Sequence, residues 1–172
     1  DDMVQTGKRH DFFNTYDVGF DQDGMLHGAD LMVAGRCGFS PDLSDAIVDR
    51  AMFHADNAYF LDQARVTGHR CKTHTVSNTA FRGFGGPQGM MIIEQAMDDI
   101  ARHLQLDPLT VRKRNLYREG RDTTHYGQLI EQHLLPRLVD ELEVSSDYQA
   151  RREEINAFNR KSPILKRGLA LT

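Results

Sequence analysis

Four glycines, Gly83, Gly85, Gly86 and Gly89, fall within seven residues of the run Ser77-Asn78-Thr79-Ala80-Phe81-Arg82-Gly83-Phe84-Gly85-Gly86-Pro87-Gln88-Gly89. Glycine admits positive φ and lets the backbone come close to a ligand. Pro87 suits the first position of a helix, where its missing N–H would be unpaired anyway. A helix start offers free N–H groups and a positive dipole end, which together favour an anion. On these grounds the loop could hold a phosphate or a pterin, or could be a plain tight turn. Two nucleotide loops are excluded by inspection. A dinucleotide fingerprint counted from Gly83 needs Gly or Ala where Gln88 stands, and a P-loop needs Gly-Lys-Ser/Thr where Gly86-Pro87-Gln88 stands. Arg82 and Phe84 flank the glycines; a guanidinium and an aromatic on a glycine-lined wall suit a flat, electron-rich heterocycle. Read alone, Phe84 is better explained as a core aromatic.

Arg50 is the second residue of interest. On a helix its neighbours three and four residues away are Ala46, Ile47, Phe53 and His54, none of them a carboxylate. Such an arginine either snorkels to water or points at an anion supplied from elsewhere. The eight histidines form no HxxxH pair around a glutamate, so a zinc site has no support, and there is no GxSxG elbow. Cys37 and Cys71, 34 residues apart, fit no CxxC pattern and read as two half-buried thiols in a reducing cytoplasm. The charged run from Asp140 to Lys161 reads as a solvated helical face.

The elements that must position these residues follow from pattern. Phe12 to Phe20 and Met25 to Val33 alternate around Asp21-Gln22-Asp23-Gly24, which predicts a hairpin, with Gly35, Gly38 and Pro41 breaking its second strand. Asp42 or Ser44 is predicted to cap a helix to about Asn57, with Leu43, Ile47 and Ala51 on one face. Arg65 to Thr75 reads as β. After the glycine loop, Met90, Ile93, Met97, Ile100, Ala101 and Leu104 recur at helical spacing, and Asp107-Pro108 opens a shorter helix through Arg114. Gln128 to Leu135 is predicted as a helix, with Pro136 starting the next. Ser146 and Gln149 fit a capping box ahead of a charged helix through Asn159. Strands first, helices after, predict an α+β architecture.

With 172 residues, 40% of them hydrophobic and 27% charged, the chain can bury a core. Its net charge of −4 argues against nucleic acid as a partner. No apolar stretch approaches a membrane span, and no secretory signal is visible. The start at Asp1 and the strand-like Gly168-Leu169-Ala170-Leu171-Thr172 at the other end read as the ends of an internal piece.

The glycine-loop run resembles the signature segment of the xanthine dehydrogenase/aldehyde oxidase family of molybdenum hydroxylases. Asp42-Leu43-Ser44, Asp49-Arg50-Ala51, Phe53-His54, Cys71-Lys72-Thr73, Arg112 to Asn115 and Lys166-Arg167-Gly168-Leu169 resemble the same family in the same order, over essentially the whole chain. The resemblance implies a fragment of the molybdopterin-binding domain: residues 1–115 carrying pocket residues, residues 116–172 a helical connector to the next lobe. It implies that Arg82, with Gly83 and Gly85, contacts the molybdenum–molybdopterin cofactor, Arg82 lying near the metal without ligating it. It implies that Phe84 is one of two phenylalanines holding a purine, and that Arg50 binds the purine's carbonyl edge. Aldehyde oxidases typically carry a bulky aromatic where this chain has Gly86 and an aliphatic residue where it has Arg50; both positions here take the purine-type choice. The family's purine-contacting and general-base glutamates lie on segments that do not occur in this sequence, so no catalytic residue is expected in it and the chain alone is expected to be inactive. The implied reaction is hydroxylation of a purine with water as the oxygen source, electrons leaving through iron–sulfur clusters and FAD, on a partner subunit or further domains, to NAD, in a cytoplasmic hetero-oligomer. An aldehyde or aza-heterocycle hydroxylase of the same family, or a non-catalytic scaffold whose loop is only a turn, stands as the alternative.

Overall fold

The computed structural model describes residues 6–171. Strands β1 (Phe12–Phe20) and β2 (Leu26–Gly38) form an antiparallel hairpin. Its turn is closed by the Asp21 carboxylate, which accepts from the amides of Asp23 and Met25, while Gly24 takes φ +81°. After helix α1 (Ser44–Phe53), strand β3 (Ala64–Lys72) returns parallel to β2, giving the order β1-β2-β3. The helices α2 (Gly86–Leu104), α3 (Pro108–Asn115), α4 (Leu134–Ser145) and α5 (Tyr148–Lys161) complete a mixed α+β structure.

The core lies between the sheet and the helices on one of its faces. Along β2, Ala29, Leu31, Val33 and Cys37 are buried at alternate positions, as a strand's period of two requires. Against them pack Val48 and Ala51 of α1, Ile93, Met97 and Ile100 of α2, and Val111 of α3. Asn115 locks the hairpin turn onto α3: its Oδ1 accepts from the Leu26 amide at 2.8 Å and its Nδ2 donates to the Gly24 carbonyl at 2.8 Å. Arg112 ties α3 to α2 through a forked pair with Glu94 at 2.7 and 2.9 Å and a third bond to Asp98 at 2.8 Å.

Several local expectations are overturned. β2 runs through Gly35 to Gly38 because the helix layer covers it: a Cβ on Gly35 would lie 3.0 Å from Val48 and 3.2 Å from Phe12. α1 ends at Phe53 rather than near Asn57, Leu43 is exposed, and neither Asp42 nor Ser44 caps the helix; the Ser44 hydroxyl instead meets the buried His10 ring. No helix covers Gln128 to His133. That stretch folds back on itself through the Thr123–Leu129 bridge, with Gly127 at φ +87° and the Thr124 hydroxyl accepting from the Gln128 amide. α4 starts at Leu134, so Pro136 falls within its first turn. Ser146 ends α4 and makes no capping box; Gln149 bonds Glu143 instead. Residues 168–171 form no strand.

Candidate functional site at the glycine loop

Backbone geometry sets the loop apart. Gly83, Phe84 and Gly85 are consecutive left-handed residues, with φ of +97°, +49° and +93°. A bulky side chain in this region is uncommon, and holding it there costs about 1–3 kcal/mol. Tight turns fix it: the Phe84 amide donates to the Phe81 carbonyl at 2.8 Å, and the Gly86 amide to the Gly83 carbonyl at 2.9 Å. Phe84 is thereby held half-buried on a turn rather than on α2. The amides of Gly83 and Gly85 have no hydrogen-bond partner among the described residues. Arg82 is exposed, and no ion pair or hydrogen bond holds its side chain among the described residues. Two amides and a guanidinium without partners among the described residues, beside a helix start, are groups that can donate to an anionic or carbonyl-rich ligand.

The glycines divide by what they meet. A Cβ on Gly85 would stand 2.0 Å from the Ile47 carbonyl oxygen, and one on Gly89 2.1 Å from that of Ala51. Both allow α2 to press directly on the α1 backbone, so packing alone accounts for them. A Cβ on Gly83 would meet the Pro87 ring at 2.7 Å. Gly86 differs: its missing side chain faces His54 Cδ2 at 3.5 Å and Arg50 Nε at 3.7 Å. The backbone contact between α1 and α2 thus brings Arg50 to the glycine loop, two residues from Phe84.

Arg50 is exposed, and its side chain has no hydrogen bond or ion pair among the described residues. An exposed guanidinium without an anionic partner among the described residues accords both with a side chain in water and with one aimed at an anion supplied from elsewhere. No hydrogen bond or cation–π contact joins Arg50 to Phe84 or Arg82, and none of five pockets on the described residues is lined by the three. Two neighbours were not singled out as site residues by the sequence. His54, one turn beyond Arg50, packs beside Gly86 and turns Nδ1 to the Arg50 carbonyl at 3.0 Å; its i+4 spacing was the available signal. Arg9 lies 4.5 Å over the Phe81 ring, a pairing across 72 positions that no local pattern announces.

Comparison with known proteins gives these features a context. Residues 1–116 match the family model described as the molybdopterin cofactor-binding domain. The chain is 47% identical over 171 residues to the xanthine dehydrogenase/oxidase of Mus musculus, and 45% identical over 171 residues to the xanthine dehydrogenase of Drosophila subobscura. Each alignment covers 99% of this chain and 13% of the relative, so the chain spans a small part of the proteins it matches. The crystal structure of the aldehyde oxidoreductase from Desulfovibrio desulfuricans superposes with a TM-score of 0.79 at 29% identity, covering 89% of this chain and 17% of that one.

Proposed function

The chain belongs to the molybdopterin cofactor-binding domain family, and from that premise we propose that it forms part of the substrate pocket of a purine-hydroxylating enzyme acting on xanthine or hypoxanthine. Its likeness to xanthine dehydrogenases and to a molybdenum hydroxylase structure makes it a member of an oxidoreductase family. In this reading residues 1–115 carry the pocket and residues 116–172 lead to a neighbouring lobe. Iron–sulfur clusters and FAD, on a partner subunit or further domains, carry electrons to NAD, in the cytoplasm. The general-base glutamate is supplied from outside this chain, which alone is inactive.

When bound, the molybdenum cofactor supplies a two-electron oxidation of the purine carbon, with water giving the oxygen. The residues of this chain bind and orient. Arg82 and the free amides of Gly83 and Gly85 hold the cofactor's electron-rich edge. Phe84, kept off α2 by the left-handed turn, offers its ring to one face of the purine. Arg50 donates to the purine carbonyl edge and stabilises the negative charge that grows there as oxygen adds, where a fixed guanidinium contributes most. The observation that carries this reading is Arg50 itself: without an acidic partner among the described residues, it lies 3.7 Å from the space a side chain on Gly86 would enter.

The test is Arg50→Met in the intact enzyme. Turnover of xanthine should fall by about 100-fold or more, as when a transition-state donor is lost, while the melting temperature stays within about 2 °C because the side chain is exposed. Undiminished xanthine turnover would remove Arg50 from the site. Activity of the parent on an aromatic aldehyde exceeding that on xanthine would favour the aldehyde-oxidising branch. Absence of molybdenum and pterin from the purified protein would favour a scaffold.

A further inference from the structure

We propose that the cavity behind the end of α1, at the Asp56 carboxylate, is a binding site for a cationic nitrogen group: an ammonium, amidinium or guanidinium.

Beyond Phe53 the chain turns, and Asp56 enters the interior with 4% of its surface exposed. Its Oδ2 accepts the Tyr117 hydroxyl at 2.5 Å. His125 Nδ1 lies 3.5 Å from the same oxygen without a hydrogen bond to it. The other ring nitrogen of His125 sits 3.0 Å from the Met52 carbonyl, which can only accept, so Nε2 carries the proton. Burial, and after it the hydrogen bond to Asp56, pushes the Tyr117 hydroxyl far above its ordinary range, so it remains a neutral donor. The carboxylate is therefore buried with a single hydrogen bond, from the Tyr117 hydroxyl, an arrangement that is costly unless further donors complete it.

Space for that cation exists. Asp56 lines a cavity of about 260 Å³ with Phe53, His54, Tyr117, Tyr126 and His133. Asp56 Oδ1 has no hydrogen-bond partner among the described residues, and Asp56 lines this space. His133 Nδ1 is buried there with no partner. Asp56 is the lining's one formal charge; no lysine or arginine contributes. Among the described residues no three acidic, imidazole or thiol groups are placed to hold a metal ion. What remains is a carboxylate oxygen, imidazole nitrogens and aromatic walls. That set takes a nitrogen cation with N–H donors, which gains from the carboxylate and from any ring face it lies over. The cation could be a free ligand or a lysine or arginine side chain from elsewhere in the intact protein.

The experiment titrates the intact protein with benzylammonium and with benzyl alcohol, its neutral counterpart, by calorimetry, and determines the intact structure. Benzylammonium should bind saturably, at least tenfold more tightly than benzyl alcohol, and Asp56→Asn, which keeps an acceptor for Tyr117, should abolish the difference. Should benzylammonium fail to bind because a lysine or arginine nitrogen lies within hydrogen-bond reach of Asp56 Oδ1 in the intact structure, the same chemistry is supplied internally and the proposal stands. Equal binding of alcohol and amine overturns it, as does no binding with no such nitrogen present. The wild-type comparison decides even if the variant does not fold.

Discussion

His10 is nearly sealed from solvent, its Nε2 2.6 Å from the Ser44 hydroxyl at the start of α1 and its backbone carbonyl accepting from the Gln88 side chain at the start of α2. One residue thus touches both helices that carry the candidate site. Burial lowers the imidazole pKa below 6.5, outweighing the Thr79 backbone, Asp42 and Asp11, which pull it up. The consequence for stability follows from proton counting. Below about pH 6.5 the unfolded chain binds a proton that the folded chain refuses, so stability falls as pH drops through that value. It is unaffected above it, and the loss levels off once the lowered folded pKa is passed. Melting temperatures measured from pH 8 to pH 5 should therefore be flat near neutrality and decline in acid, and His10→Gln should show a shallower decline whatever its starting stability. Identical acid slopes in the two proteins would mean that other groups carry the effect. Arg50 shows how residue-scale reading succeeds and fails. That it lacks a partner in its own helix was legible from four neighbouring letters. That its guanidinium lies beside Gly86 was not, because 36 positions separate the two and only the helix–helix contact joins them.

That contact is the element on which the loop depends. Gly85 and Gly89 stand one turn apart against Ile47 and Ala51, also one turn apart, so α1 and α2 meet backbone to backbone. The glycine count alone could not distinguish a ligand loop from a packing device; the geometry assigns Gly85 and Gly89 to packing and leaves Gly86 facing Arg50. Three substitutions separate the physical terms. Gly120→Ala, at φ +75° with nothing within 4 Å, should cost only the backbone strain, about 1 kcal/mol. Gly89→Ala has helical backbone but drives a methyl into the Ala51 carbonyl, and should cost roughly 2–3 kcal/mol despite the better helix propensity of alanine. Gly85→Ala combines both penalties, φ +93° and a 2.0 Å approach, and should be the most destabilising. Denaturant unfolding gives the order directly; Gly89→Ala as mild as Gly120→Ala would show that the helices separate without cost. At this scale the sequence was most readable where the determinants are local. The Asp-Gly hairpin and the long apolar stripe of α2 fell where periodicity put them, and Asp107 caps α3 as its position before Pro108 indicated. It was least readable where a distant element decides: Gly35 stays in β2 because Val48 and Phe12 cover it, and Gln128 to His133 folds back instead of coiling because Gly127 and Thr124 close a turn.

Across the whole molecule, burial is uneven in a way that bears on what the chain does by itself. The core of β2, α1, α2 and α3 is closed, whereas α4 buries none of its residues although it carries Leu134, Leu135, Leu138 and Leu142. Leu138 is 55% exposed and Leu142 48%; after α5, Ile164 is 86% and Leu165 70% exposed. Positions 135, 138 and 142 recur at helical spacing, so they form one stripe rather than scattered apolar points. Only Val139 of this helix packs on the main core, and α4 is otherwise pinned by the Lys113 pairs to Asp140 and Glu143. Partly exposed ion pairs of that kind hold a helix weakly, by about 1 kcal/mol or less each. A continuous apolar stripe in water is a surface for association. The 172 residues in isolation should therefore associate with rising concentration, seen as a shift to larger species in sedimentation, and should bind a hydrophobic dye. Leu138→Lys with Leu142→Lys should suppress both signals while leaving α1, α2 and the sheet intact by circular dichroism, because neither leucine belongs to the buried core. A monomer at every concentration with no dye binding would show that α4 turns its leucines inward in solution. The same stripe explains why the chain's second half was the harder part to read. Its helices are amphipathic, but their apolar side meets too little of this chain to fix where each must begin.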